Sequence, residues 1–166
     1  MKTLLNLLAG LGAMLMLLAL LSCTQGPQPG AEQQQPIPDN PKEESQMPDK
    51  IHITIDGKTL SIVLETNDAT QALVGALREA PIQYTASDYG GFEKVGPLGR
   101  SLPADNSQIT TRAGDVILYS GDQIVLFYGS NTWSYTRLGK IPYESLDELK
   151  AFLKAGEGDV SVTLAL

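Results

Sequence analysis

The chain has very few of the side chains that build disulfides and metal centres. Its 166 residues include one cysteine, Cys23, and one histidine, His52. A single cysteine cannot form an intramolecular disulfide, and a cysteine-based zinc site needs several thiolates or imidazoles at one point. We therefore expect no metal. His52 falls on the polar phase of a predicted strand, so we expect an exposed histidine rather than a working acid or base.

Positive charge and known catalytic motifs are also scarce. Lys and Arg number 12 against 19 Asp and Glu, which gives a formal net charge of -7, and the basic residues form no run. Binding of nucleic acid needs clustered positive charge against the phosphates, so we expect no nucleic-acid partner. The sequence contains no G-x-S-x-G, H-E-x-x-H, Walker or dinucleotide-binding motif. We expect no cofactor, and these patterns assign no catalytic residue.

The N-terminal segment is apolar and ends at the cysteine. Lys2 precedes a stretch from Leu4 to Leu21 in which Asn6 is the only polar residue, a pattern typical of a secretion signal. The closing Leu-Leu-Ser-Cys resembles the lipobox of bacterial lipoproteins. The resemblance implies that residues 1–22 are removed and that Cys23 carries lipid, with fatty acids such as palmitate. The protein would then be anchored to a membrane of the bacterial cell envelope, facing outside the cytoplasm. A transmembrane helix with an incidental cysteine is the alternative.

The segment after Cys23 is rich in proline and glutamine. Residues 24–49 contain six prolines and no aromatic residue, so they cannot bury a core, and we predict an extended, disordered spacer. Residues 23–49 would thus be the lipidated cysteine and a tether. A proline-rich docking peptide is the alternative interpretation.

Residues 50–166 hold all ten aromatic residues and begin with a hairpin signal. Ile51, Ile53 and Ile55 alternate with polar residues before an Asp-Gly pair, which predicts a β-hairpin. A capping box of Asp68 with Gln71 predicts a helix that ends before a proline. Strands are also predicted at Ile82–Thr85, Gln108–Thr111, Asp115–Ser120, Gln123–Tyr128 and Tyr135–Ile141.

The C-terminal part adds a helix and a strand. Ser145 with Glu148 forms a second capping box, and the helix it opens is expected to bury Leu146 with other apolar residues. Alternation from Val160 to Leu166 predicts a last strand. Seven or eight short strands with two helices favour a closed barrel, because closure removes exposed edges.

The order of motifs also resembles a known family. IxIxIDGK, ASDYGGFEKVGPLGRSLP, AGDVILYSGDQIVLFYG and SNTWSYTRLGKI follow one another as in small bacterial cyclophilin-like domains, over Ile51 to Leu166. The resemblance implies a mainly β fold, a closed eight-stranded barrel capped by two short helices. The catalytic stretch of true cyclophilins, a Phe, a His and an Arg before Pro-Gly-Phe and Gln-Gly-Gly-Asp, has no counterpart here. No catalytic residue is therefore carried over.

One candidate binding surface lies on a predicted strand. Trp133, Tyr135 and Arg137 alternate and so share one face. Two aromatic rings and a guanidinium on one face can hold a peptide or a glycan. The alternative, which the sequence favours, is that Trp133 fills an end of the barrel and Arg137 forms an external salt bridge.

A second candidate lies in a glycine-rich segment, Asp88–Gly99, which we predict to be a loop. An Asp or Glu beside a Lys, here Asp88 or Glu93 with Lys94, can act as an acid–base pair, and loops often carry function. Solvated turn chemistry, with Asp88 in an Asx turn, explains the same residues and is favoured. The candidate binding residues of this loop are Asp88, Tyr89 and Phe92.

The sequence as a whole predicts a membrane-tethered binding or accessory module of unknown ligand. The alternative is a divergent peptidyl-prolyl isomerase or another envelope enzyme that uses Arg137 or Arg100. An active site of that kind requires one of these guanidiniums to enter an apolar concavity lined by Phe92, Phe127 or Trp133.

Overall fold

The computed structural model of the chain describes residues 46–166. The predicted signal, Cys23 and residues 24–45 of the predicted spacer lie outside the described residues. The end of the predicted spacer contacts the domain: Met47 packs against the core, and the carbonyl of Asp49 accepts a hydrogen bond from the amide of Leu64 at 2.9 Å. Within residues 46–166, neither helix has the length and apolar character needed to cross a bilayer.

Residues 46–166 form nine strands and two helices. The hairpin predicted from the Asp-Gly pair is confirmed, since Asp56 and Gly57 both have positive φ between the first two strands. A second tight hairpin joins two further predicted strands, with Tyr119 paired to Gln123 across its turn. The elements are β1 Lys50–Ile55, β2 Lys58–Leu64, α1 Asp68–Glu79, β3 Ile82–Tyr89, β4 Glu93–Pro97, β5 Ser107–Thr110, β6 Asp115–Tyr119, β7 Gln123–Phe127, β8 Thr132–Lys140, α2 Leu146–Leu153 and β9 Val160–Ala165.

Eight of the strands close into an antiparallel barrel, which confirms the predicted fold class. Their order is β2-β1-β9-β3-β4-β7-β6-β8, and the ring closes where β8 pairs back onto β2. The closing contact is tight: a Cβ at Gly139 would lie 2.2 Å from the carbonyl oxygen of Val63, so glycine is needed there. β5 lies outside the ring and pairs with the first half of β8.

Both helices direct apolar side chains into the barrel core, where Leu73, Leu77, Leu149 and Phe152 are buried. Ser145 caps α2 as predicted, because its hydroxyl accepts a hydrogen bond from the amide of Glu148. The expectation that α2 buries Leu146 was wrong, since that side chain is 42% exposed; it occupies the first turn, where the helix faces solvent.

The cap of α1 is one residue earlier than predicted. Asn67, rather than Asp68, accepts the hydrogen bond from the amide of Thr70 at 3.0 Å, and the Thr70 hydroxyl accepts one from the amide of Asn67 at 3.1 Å. The capping box is thus Asn67 with Thr70. Asn and Asp are equally good caps, so local sequence could not separate the two positions.

The predicted loop at Asp88–Gly99 was wrong, because most of it is a β-hairpin. β3 continues to Tyr89, and β4 starts at Glu93 after a turn in which Gly90 and Gly91 have positive φ. Asp88 and Lys94 face each other across the two strands. The strand was missed because two charged residues start it and a glycine and a proline end it, a composition typical of loops.

The strands β4, β6, β7 and β8 bury side chains on both faces. Val116 and Leu118 belong to the core inside the barrel, whereas Ile117, Val125 and Phe127 form a second cluster with Tyr135 on the outer face. Period-two alternation gives this two-sided arrangement. The outer cluster forms the base of the site described next.

Candidate functional site

A cavity of about 830 Å³ opens on the outer face of the barrel. Its walls come from the β3–β4 hairpin, from β6 and β7, and from the start of β8 with the residues just before it. Valines and aromatic rings make up most of the lining. The polar side chains other than tyrosine that line it are Glu93, Gln123 and Asn131. Its aromatic residues are Tyr89, Phe92, Tyr119, Trp133 and Tyr135.

The aromatic side chains of this cavity form a packed base and an exposed rim. Phe92 stacks on Phe127 with ring centroids 6.3 Å apart, and Phe127 meets Tyr135 edge to face at 5.9 Å. Tyr135 is 4% exposed, whereas Trp133 and Tyr89 at the rim are 57% and 64% exposed. Aromatic surface left open beside a buried aromatic base is available to contact a ligand.

Glu93 is the carboxyl group of this cavity. It is the first residue of β4 and lies directly opposite Phe127 of β7, on the outer face. The side chain is 6% exposed, and its Oε2 atom is buried without a hydrogen-bond partner. Desolvation by burial raises the pKa of Glu93 from 4.5 to about 7, because the charged form loses its hydration.

The next residue, Lys94, points to the opposite side of the same strand. Its ammonium is fully buried and forms an ion pair with Asp88 at 2.9 Å, and it also donates a hydrogen bond to the carbonyl of Gly158. Asp88 accepts further hydrogen bonds from the amides of Gly156 and Gly158 and from the Tyr128 hydroxyl.

These contacts decide the charge of Asp88. Desolvation raises its pKa, but the hydrogen bonds from Lys94, the two glycine amides and Tyr128 outweigh that effect and lower the pKa to about 2. Breaking such a buried pair leaves an uncompensated charge. The cluster therefore ties the β3–β4 hairpin, which carries one wall of the cavity, to the segment before β9.

Comparison with known proteins identifies the fold. Residues 53–165 match the sequence model of the cyclophilin-like family. The chain belongs to the cyclophilin-like family. Its structure is similar to the solution structure of a hypothetical protein from Archaeoglobus fulgidus, with a TM-score of 0.52 and 17% sequence identity, covering 74% of this chain and 98% of that one. At that identity the similarity shows the fold alone. No curated protein matches the chain in sequence at a significant level.

The guanidiniums of the cyclophilin-like barrel do not reach the cavity. Arg137 forms ion pairs with Asp115 at 2.6 Å and with Glu65 at 3.4 Å. Arg100 lies 4.0 Å from Glu79 on the surface. Neither arginine is among the lining residues of the cavity. The placement that an arginine-dependent isomerase requires is thus not found at either residue.

Four of the six candidate binding residues meet at the cavity, and two do not. Trp133, Tyr135, Tyr89 and Phe92 line it, while Arg137 is held by carboxylates and Asp88 by the buried lysine. The favoured alternative for Trp133 was wrong, because its side chain is 57% exposed and does not fill an end of the barrel. The part of β8 that carries Trp133 extends beyond the ring and pairs with β5. The salt bridge expected of Arg137 is confirmed, as is the exposure of His52.

The sequence named Glu93 as a possible partner of Lys94 in an acid–base pair, but not as a binding residue. Its signal was present, because Glu93, Val95 and Pro97 alternate on one face of a possible strand. Tyr119, Gln123 and Asn131 were missed, since they reach the cavity through pairings that no local pattern reveals. Within residues 46–166, His, Cys, Asp and Glu side chains do not gather in any group of three suited to hold a metal ion.

Proposed function

We propose that this cyclophilin-like protein is a membrane-tethered binding module of a bacterial cell envelope, and that its ligand, a peptide or a glycan, occupies the outer-face cavity. The observation that carries the proposal is the cavity itself, with exposed Trp133 and Tyr89 around a buried aromatic base. Binding sites are typically concave, mostly apolar and equipped with a few polar groups that fix orientation. Gln123, Asn131 and Glu93 supply such groups here.

The location of the protein is supported by the sequence before the barrel. An apolar leader ends at Cys23, and residues 24–45 are rich in proline before the chain reaches the described domain. Lipid on Cys23 would hold the domain at a membrane, and an extended spacer would keep its cavity accessible, at about 3.1 Å of reach per residue.

The ligand site is tested with the fluorescence of Trp133, which is the one tryptophan of the chain. The full-length protein, purified in a non-ionic detergent, is titrated with sets of short peptides and glycans. We expect saturable changes in Trp133 emission that weaken at least about fivefold in Tyr89→Ala. The matched control, Tyr143→Ala, removes an exposed tyrosine that does not line the cavity. Equal loss in both variants, or no response to any compound, would contradict the proposed site.

The anchor is tested in cells that secrete lipoproteins. Wild-type protein is expected to incorporate labelled palmitate and to appear in its shorter, processed form. Cys23→Ser should remain unprocessed and unlabelled, because no thiol is available for the lipid, whereas Thr24→Ser should behave as wild type. Equal labelling of the wild type and Cys23→Ser would exclude the lipoprotein assignment.

The enzyme alternative has one observation in its favour. A carboxyl with a pKa near neutrality inside a cavity is typical of general acids and bases, and Glu93 fits that description. Acceleration of prolyl isomerisation by the wild type that is lost in Glu93→Gln would favour the enzyme over the binding module. We expect no acceleration, since neither Arg137 nor Arg100 lines the cavity.

A further inference from the structure

The charge of the cavity points to the chemistry of its ligand. Among the described residues that line it, Glu93 carries the one carboxyl, and no lysine or arginine is present. The nearest lysine in sequence, Lys94, turns its ammonium to the other face of β4, where Asp88 binds it. A negative group without a counter-ion, enclosed by aromatic rings, is electrostatically complementary to a cation.

We propose that the cavity binds an alkylammonium group, such as the side chain of a lysine in a peptide, with Glu93 as its counter-ion. This inference rests on the proposed function of the cavity as a ligand site and names the chemical class of the ligand. The ammonium would donate a hydrogen bond to the carboxylate of Glu93, and the methylene chain would pack against the aromatic base.

The first support is the unsatisfied oxygen of Glu93. A buried carboxylate oxygen that accepts no hydrogen bond is costly, and Oε2 of Glu93 has no partner among the described residues. A primary ammonium has three N–H donors and can supply the missing hydrogen bond when the carboxylate turns Oε2 toward the cavity. A quaternary ammonium has none, so the geometry favours a cation that carries N–H groups.

The second support is the aromatic rim. A cation is attracted to the faces of Trp and Tyr within about 6 Å, and the attraction grows when the cation is desolvated. Trp133 and Tyr89 are more than half exposed, so their rings are open to a ligand. Long alkylammonium side chains pack their methylene groups on apolar surface while the charged end keeps a polar partner, which matches a base of Phe92 and Tyr135 beside Glu93.

The surroundings of Glu93 predict how binding depends on pH. The titratable side chains that line the cavity with Glu93 are phenols: Tyr89 from β3, Tyr119 from β6 and Tyr135 from β8. Tyr128, after β7, also interacts electrostatically with Glu93, but its hydroxyl binds Asp88. Burial raises the pKa of Tyr128 to about 12 and also raises that of Tyr135. The Asp88–Lys94 pair lies on the opposite face of the hairpin. Glu93 is therefore the lining group whose charge changes near pH 7, while an alkylammonium keeps its proton up to about pH 10.

The test compares a charged probe with a neutral analogue and with two other cations. The full-length protein in non-ionic detergent is titrated with N-acetyl-lysine methylamide, with N-acetyl-norleucine methylamide, which keeps the four side-chain carbons of lysine and lacks the ammonium, and with butylamine and tetramethylammonium, with Trp133 fluorescence as the readout. At pH 8 we expect the lysine compound to bind at least about tenfold more tightly than the norleucine compound. Its affinity should fall roughly 30-fold between pH 8 and pH 5.5, because the proton on Glu93 competes with the cation.

Two variants and one calorimetric measurement locate the effect. Glu93→Gln keeps the shape and removes the charge, so both the preference for lysine and its pH dependence should disappear. Glu79→Gln, an exposed carboxyl on α1, should bind as wild type does. Should Glu93→Gln fail to fold, calorimetry of the wild type at pH 7 in two buffers replaces it, with release of about half a proton expected on binding.

Each outcome separates this inference from the proposed function. Equal binding of the lysine and norleucine compounds, or of tetramethylammonium, overturns the alkylammonium inference and leaves the cavity as a binding site for other ligands. Tight binding of butylamine supports the inference and identifies a free amine, rather than a peptide lysine, as a sufficient source. No response to any probe, together with a negative peptide and glycan screen, overturns both proposals.

Discussion

Glu93 combines two properties that rarely occur together, deep burial and the lack of a partner for one carboxylate oxygen. Burying a charge without a partner is unfavourable, so the group shifts its pKa and stays protonated to higher pH. The cyclophilin-like barrel therefore loses stability at this position in the absence of a ligand. A residue that costs stability and lines a cavity is a candidate for function.

The free-energy cost of burying the Glu93 carboxylate predicts how the stability of the protein varies with pH. The folded protein holds the proton of Glu93 with a pKa of about 7, against 4.5 when unfolded, so the native state binds more protons between these values. Stability should fall as pH rises from about 4.5 to about 7, by up to roughly 3 kcal/mol. Glu93→Gln should remove this decline, as measured by urea unfolding at pH 4.5, 6 and 8.

The control for this prediction is Glu79→Gln, which should decline as the wild type does because the carboxyl is exposed. Asp88 does not add to the change, since its pKa of about 2 keeps it ionised throughout this range. An unfolding free energy of Glu93→Gln that declines in parallel with the wild type between pH 4.5 and 8 would show that Glu93 ionises normally in the folded protein.

The sequence predicts the secondary-structure elements that depend on neighbouring residues and misses those that depend on pairing with distant residues. The first hairpin was predicted because Asp-Gly and the alternating isoleucines lie within a few residues of one another. β4 was missed because Glu93 and Lys94 are charged, and charged residues are expected to be exposed to solvent. Their burial depends on Phe127 across β7 and on the glycines before β9, which are far along the chain.

The residues of the candidate site fall into the same two groups, those that a local pattern predicts and those that depend on distant pairing. Trp133 and Tyr135 were found because they alternate on one strand, and their common face is the one that the structure turns toward the cavity. Arg137 shares their spacing but not their environment. Asp115 is brought beside it by the pairing of β6 with β8, which includes a bulge between Val116 and Ile117. No local pattern contains that register.

Mutation of the start of α1 can distinguish the observed cap, Asn67, from the predicted cap, Asp68. The Asn67 side chain accepts from the amide of Thr70 at 3.0 Å and donates to the carbonyl of Arg137 at 2.8 Å, so it both caps α1 and joins it to β8. Asn67→Ala should lower the unfolding free energy by about 1 to 2 kcal/mol. Asp68→Ala, which removes an exposed charge in the first turn, should cost about 0.5 kcal/mol.

Chemical denaturation of both variants at pH 7 measures this difference. A larger loss for Asp68→Ala than for Asn67→Ala would mean that the cap lies where the sequence alone placed it. Ser145→Ala on α2 serves as a reference, since the cap there was predicted and observed at the same residue.

The first and last strands of the domain, β1 and β9, are neighbours in the barrel. β9 lies between β1 and β3, so Leu164 pairs with Ile53 on one side and with Ile82 on the other. The last strand in sequence is therefore an interior strand of the barrel. Closure depends on it as much as on the pairing of β2 with β8, because the removal of either leaves two open edges.

This position predicts the result of deleting Val160–Leu166. Of the four alternating apolar side chains in this segment, Val162 and Leu164 are fully buried, while Val160 is half-buried and Leu166 is 47% exposed. Two side chains therefore lose complete burial, at roughly 1.5 to 3 kcal/mol each. The deletion also removes the hydrogen-bond ladders to β1 and β3. Since a small domain has only about 5 to 15 kcal/mol of net stability, the truncated protein should show no cooperative thermal transition by circular dichroism.

Deletion of residues 24–45 should leave the melting temperature unchanged within about 2 °C. Cooperative melting of the C-terminal truncation within a few degrees of the wild type would mean that the barrel does not depend on β9.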